Sequence, residues 1–293
     1  MTTNDDEAYY LSLALYASTY PDCSIEDEYL KRYEGYGTIR LPLEIDAPLS
    51  DAGELRRRYN LFVVPIEAYA ASLARLEHGS ARLVRHVKTS LTQAMQDKLL
   101  NYLINLEITA SGFLSVETVQ NPRFNKDFQN CYHKLLKPGA YRKKITTVVD
   151  LLKDYKQLFP SGEVNEDVLA NEHAEIETLI KFLNDHTIDS VTKACVVCYY
   201  VYYLHLFNDN SGFYGRYLLC KAICQRYDPY TALSLSNFIS ADKKVYEGLR
   251  RHVDDYDNYG EITWFVTYIL QTLLKSQSWV NESVVDNVDA LEA

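Results

Sequence analysis

Apolar residues recur at spacings of three and four through much of the chain, the repeat that lines one face of an α-helix. The longest run lies between Gly79 and Ala110, where Leu83, Val87, Leu91, Met95, Leu99, Leu103 and Leu106 predict one extended amphipathic helix. Residues 4–20 open with Asn4, Asp5, Asp6 and Glu7, which suit the positive end of a helix dipole and predict a first helix. Asp51 to Leu76 has a helical pattern with an interruption at Pro65, and Arg56-Arg57-Arg58 reads as its solvated face. Further helices are predicted over 125–136, 172–184, 190–205 (with Ser190 as cap), 213–226, 236–251 and 261–274. Two stretches depart from this rhythm. Residues 36–50 read as a loop or short extended segment, and the β-branched row within 141–159 reads as a hairpin or edge strand. The closing residues 284–293 are acidic and expected to be loosely held. The fold class is therefore all-α, mainly helical with a small β-hairpin.

Composition narrows the function classes. A chain of 293 residues with 47% hydrophobic residues can build a large core without disulfides or a structural metal. Its net charge of -10 argues against a nucleic-acid partner, because phosphate backbones need a basic footprint. No apolar run approaches the roughly 18 residues of a membrane span, so no membrane partner is expected. The six Cys follow a polar, acidic N-terminus without signal-peptide character, which points to reduced thiols in a cytoplasm. Cys195, Cys198, Cys220 and Cys224 have a spacing that suggests zinc, but they lie in apolar helical runs and read better as small hydrophobes. Tyr199, Tyr200, Tyr202 and Tyr203, part of a total of 25 Tyr, read as packing residues, and His173, His186 and His252 show no ligand spacing.

Candidate chemistry concentrates in His205-Leu-Phe-Asn-Asp-Asn-Ser-Gly-Phe-Tyr-Gly-Arg216, between two apolar helices. A loop feeding a helix N-terminus offers free amides to an anion. Asn210, Ser211 and Gly212 tolerate turn or left-handed backbone and would curl those amides into a nest. Arg216, one turn on, would reach the same anion; Asp209 is a hard oxygen ligand for Mg²⁺; His205 would serve as a base near neutral pH. The set fits phosphoryl or nucleotidyl transfer. The plainer reading makes His205 a structural helix cap and the loop an ordinary turn.

This segment resembles the motif of the Fic (Fic/Doc) family, His-Pro-Phe-x-Asp-Gly-Asn-Gly-Arg-x-x-Arg, keeping His205, Phe207, Asp209, Gly212 and Arg216. Pro138-Gly139-Ala-Tyr-Arg142 is similar to the Pro-Gly-x-x-Arg before the family's flap hairpin, and residues 176–184, 236–249 and 262–264 are similar to its flanking helices. The resemblance spans roughly residues 100–275. It implies a Fic-fold helical bundle: an N-terminal helical extension (1–85), the core (86–278) and an acidic tail (279–293), with 142–159 as a flap that pins a target by strand addition. It implies transfer of AMP from ATP, with Mg²⁺, to a Tyr, Thr or Ser hydroxyl of a target protein, and leaves a homodimer open. His205 would be the base, Asp209 would hold the metal, and Asn210, Ser211, Gly212 and Arg216 would bind the nucleotide.

Four positions break the motif: Leu206, Asn210, Ser211 and Phe213 replace Pro, Gly, Asn and the first Arg. Phe213 matters most, because it removes a charge that stabilises phosphate, and one such contact is commonly worth about 10²–10³ in rate. A ring filling the phosphate pocket would stop transfer; a ring turned outward would leave Ser211, Gly212 and Arg216 to suffice. The family's inhibitory helix carries Ser/Thr-x-x-x-Glu. Here Ser111 begins that pattern and Ser115 stands where the Glu belongs, so the brake is expected to be absent. These readings give an adenylyltransferase of reduced activity or, alternatively, an inactive Fic-fold pseudoenzyme that binds nucleotide or a partner protein.

Overall fold

The computed structural model describes residues 10–49, 55–115, 126–137, 139 and 144–290. Ser12 caps α1 (Leu13–Thr19) by accepting the Leu15 N–H, and Ser24 caps α2 (Ile25–Tyr33) through Asp27 N–H. The helix expected over 4–20 thus occupies 13–19, while residues 1–9 lie outside the described set. Strands β1 (Ile39–Pro48) and β2 (Arg56–Val63) pair antiparallel, with Ile39 opposite Val63 and Pro48 opposite Arg56. Leu41, Leu43, Ile45 and Ala47 alternate inward along β1, and Pro42, which has no N–H, falls in its irregular stretch between Arg40 and Glu44. Residues 56–63, expected in a helix, are a strand because Tyr59, Leu61 and Val63 bury one face against β1. The Arg56–Arg58 run is accordingly an exposed strand end; Arg58 lies 3.7 Å from Glu44, 3.4 Å from Asp46 and 3.1 Å from Glu175.

Past Pro65 the chain turns helical. The single helix expected over 79–110 is two, α3 (Glu67–Ser90) and α4 (Gln93–Leu114). Leu91 is extended and the Thr92 hydroxyl caps the new helix at Met95 N–H, so a cap signal inside an unbroken apolar stripe ends one helix and starts the next. α5 (Lys126–Leu135) follows as expected. The flap expected over 142–159 is overturned: 148–158 form α6 (Val148–Leu158), and 142–143 lie outside the described residues. Thr147 and Asp150 make a reciprocal capping box, and Leu151, Tyr155 and Leu158 bury one helical face. The small hairpin of this mainly helical fold is therefore β1–β2, far earlier in the chain.

The rest is helical: α7 (Glu166–Asn171), α8 (His173–Leu183), α9 (Ser190–Leu204), α10 (Ser211–Arg226), α11 (Pro229–Ala232), α12 (Leu235–Ala241), α13 (Lys243–His252) and α14 (Thr263–Trp279). Asp189, not Ser190, caps α9, its carboxylate accepting from Val191 and Thr192. Tyr200 donates to the Glu44 carbonyl and Tyr203 accepts from Asp46 N–H, so α9 holds the open edge of β1 with tyrosine hydroxyls. α9 and α10 approach at Gly215, where a Cβ would lie 2.6 Å from the Cys198 carbonyl oxygen.

The boundary expected at 85/86 falls inside α3, whose Leu83 and Val87 share one buried face, and the N-terminal residues expected as a helical extension include the hairpin. A single apolar cluster runs from Leu13 to Val285. Of the segment 284–293 expected to be loosely held, Val284 and Val285 are buried just past Val280, and 291–293 lie outside the described residues. No helix among the described residues is long and apolar enough to cross a membrane.

Candidate functional site

The site grows from the junction of α9 and α10. His205 closes α9 in left-handed backbone (φ 50°), its N–H bonded to the Tyr202 carbonyl at 3.1 Å. Asn208 takes the second left-handed position (φ 47°), and a 3-10 turn at Asn208–Asn210 leads into α10. Asn210 and Ser211, expected to take turn or left-handed conformations, follow the turn with right-handed helical backbone. The amides of Asn208, Asn210 and Ser211 bond to the carbonyls of His205, Phe207 and Asn208, so two of the three amides of the expected nest are engaged within the turn. The Ser211 hydroxyl is buried and accepts the Phe207 N–H at 3.0 Å. The Asn210 amide donates to Tyr155 Oη at 3.0 Å, and Tyr155 stacks on Phe207 with centroids 4.0 Å apart. Two of the residues assigned to nucleotide thus have their side chains engaged in building the turn.

Phe213 follows neither anticipated course. Its ring is fully buried between Phe128 and Phe159, 5.1 and 5.5 Å away centroid to centroid. An arginine there would have to enter that aromatic core, so the lost charge is tied to how α10 packs on α5 and α6.

The other residues converge on Tyr202. The His205 ring lies 4.9 Å from it, and the Arg250 guanidinium stacks over it at 3.5 Å. A Cβ on Gly212 would lie 3.6 Å from Tyr202 and 3.3 Å from Arg216 Nη1, so both side chains pack closely against this glycine. Arg216 is 1% exposed. Its Nε donates to Ser111 Oγ at 2.9 Å, and Nη2 donates to the Ser111 carbonyl at 2.8 Å and to Ser115 Oγ at 3.1 Å. Among the described residues Nη1 is buried with no hydrogen-bond partner, as is Nε of Arg250, and the Arg216 charge also acts on the Tyr246 hydroxyl. Neither arginine has a carboxylate partner among the described residues. The carboxyl of Glu107 stands near but bonds Ser236 instead, through its N–H at 2.9 Å and its hydroxyl at 2.6 Å. Burial pushes Glu107 up to about 7, against the pull of Ser236 and the Arg216 charge.

His205 and Asp209 are exposed. Water lost on the packed side of the imidazole lowers the His205 pKa below its ordinary value, and the Arg250 charge lowers it further, while Asp209 acts in the opposite direction. The ring is therefore neutral at pH 7, the form that can take a proton. Asp209 makes no hydrogen bond or ion pair within the described chain. One exposed carboxylate fits Mg²⁺, which keeps several waters and arrives with phosphates. For a nucleotide the fit is mixed: Arg216 Nη1 has no hydrogen-bond partner among the described residues and would suit a phosphate oxygen, whereas Arg216 is buried and the side chains of Asn210 and Ser211 are bonded within the turn.

Tyr202, Arg250 and Ser111 were not picked out as site residues. Arg250 carried a readable signal, since Tyr246, Arg250 and Val253 occupy one helical face and an arginine on an apolar face needs a reason. Cys195 and Cys198 are buried thiols pushed upward chiefly by burial, and Cys220 is pushed upward first by a hydrogen bond with Cys224 and then by burial. The turn after α13 brings His252, Asp255 and Asp257 within 4.8 Å of one another, a grouping that linear spacing did not reveal. No protein-family model matches the chain, and no curated protein matches it.

Proposed function

We propose that this chain is a Fic-type protein that binds ATP with Mg²⁺ between α9 and α10 and passes AMP slowly to a protein hydroxyl. The observation that carries the reading is Arg216: a buried guanidinium with an idle Nη1, held by Ser111 and Ser115 where a carboxylate would have neutralised it. A buried guanidinium that makes no ion pair among the described residues is costly, because the nearby Glu107 carboxyl is bonded to Ser236, and a phosphate oxygen at Nη1 would relieve it. The Ser115 contact is also what the resemblance implies for a chain whose inhibitory position has lost its acid.

In this reading Arg216 fixes the terminal phosphate, and Arg250 supplies part of the charge that Phe213 lost. Asp209 holds Mg²⁺, which would offset phosphate charge when bound. His205 accepts the proton of a Tyr, Thr or Ser hydroxyl as that oxygen bonds the α-phosphorus and pyrophosphate leaves. The rate is low because the turn's amides and the side chains of Asn210 and Ser211 are already bonded within the turn. A reducing, cytoplasmic setting belongs to the reading, and six cysteines without a disulfide suit it.

The closed turn favours one other reading, nucleotide binding without transfer. Incubation with labelled ATP and Mg²⁺, alone and with candidate targets, separates them. Label on protein that disappears in His205→Ala supports transfer. Binding of ATP without label supports the second reading, and absence of both overturns the two together.

A further inference from the structure

A cleft of about 290 Å³ lies against α8, α9 and α10, on a part of the molecule that the nucleotide site does not use. Ser190 on its rim and Leu204 beside His205 stand at opposite ends of α9, about 21 Å apart at 1.5 Å per residue. The floor is apolar, made by Ile145, Leu183, Ala194, Val197, Leu218 and Ala222. The rim carries Lys144, Lys193, Lys221, Arg226 and His186, and no carboxylate lines the space among the described residues. In a chain of net charge -10, so basic a rim is a local inversion of sign.

The cations differ in how they are held. Lys221 is fixed by Asp154 at 2.9 Å and Arg226 by Glu77 at 3.1 Å. Lys193 donates only to a neutral group, the Asp185 carbonyl, and Lys144 has no ion-pair partner among the described residues. Burial and the neighbouring Lys144 charge lower the Lys193 pKa, with Asp185 and Asp189 acting in the opposite direction. Two ammonium groups left close together over an apolar floor are stabilised by an anion with an apolar body.

We propose that this cleft binds a small organic carboxylate, its chain or ring on the Val197–Leu218 floor and its carboxylate between Lys144 and Lys193. The volume, near the lower end of the roughly 300–1,000 Å³ usual for ligand pockets, suits one ring or a medium chain. Nothing in this rests on the nucleotide reading.

Calorimetric titration of the full chain tests it, with octanoate for an alkyl acid, indole-3-acetate for an aromatic one, and octylammonium and inorganic phosphate as controls. At least one acid is expected to bind saturably, and both controls at least tenfold more weakly. The double variant Lys144→Gln, Lys193→Gln should weaken the acid at least tenfold, Ala222→Phe should block it, and His205→Ala should leave it unchanged. The lysine pair lies at the rim, so that variant carries the test even if Ala222→Phe fails to fold. No saturable binding of either acid, equal binding of octylammonium or phosphate, or unchanged affinity in the lysine variant would overturn the proposal.

Discussion

Arg250 acts at the scale of single residues. It faces Tyr202 together with His205, and its charge helps keep that imidazole neutral. Arg250→Gln should therefore raise the His205 pKa, read by NMR titration of the ring; an unchanged or lower value would show that Arg250 does not act on it. Glu107 gives a second prediction. Its carboxyl titrates near 7 when folded against an ordinary value of 4.5, so the folded state holds the extra proton across that window. Stability from this group is therefore greatest at the acid end and declines as pH rises from about 4.5 to 7, by roughly 3 kcal/mol in all. Urea unfolding at pH 5 and pH 8 should show wild type losing stability relative to Glu107→Gln; parallel behaviour of the two would refute the assignment.

At the scale of elements, local hydrogen-bond chemistry decides where pattern alone misleads. Thr147 and Asp150 turn a β-branched row into α6, and Thr147→Ala should cost about 1 kcal/mol in chemical denaturation, with no loss contradicting the capping role. Gly215 sets the spacing of α9 and α10. Gly215→Ala should cost about 2–3 kcal/mol, because a methyl group would press on the Cys198 carbonyl, and a neutral substitution would mean the helices can separate freely. The helices around the site were legible in the sequence because their apolar stripes are long: α5, α8, α9, α10 and α14 stand close to where periodicity puts them. Strand β2 was not, since its pattern includes adjacent Leu61, Phe62 and Val63, and its pairing with β1 is a non-local fact. Which residue of the loop would be left-handed was not legible for a similar reason. Asn208 took that conformation instead of Asn210, and the choice depends on Ser211 reaching back to Phe207.

At the scale of the whole molecule, one continuous core in a chain of net charge -10 carries, besides the exposed Arg56–Arg58 strand end, a surface group of cations and a buried one. One is the rim of the cleft over α9 and α10. The other is the pair of arginines around Tyr202, where Arg216 joins α10 to α4 through Ser111 and Ser115. Arg216, Asp209 and His205, chosen from the sequence, lie on or beside the α9–α10 junction, His205 and Asp209 exposed and Arg216 buried, while the amides of Asn210 and Ser211 are bonded within the turn. The nucleotide reading thus rests on a buried charge awaiting an anion. Calorimetric titration of ATP with Mg²⁺ into wild type and Arg216→Met, whose folding is checked by circular dichroism, tests this most directly. Saturable binding by wild type, weakened at least tenfold in the variant, is the predicted result; no binding by wild type, or equal affinity in the two proteins, would contradict the account.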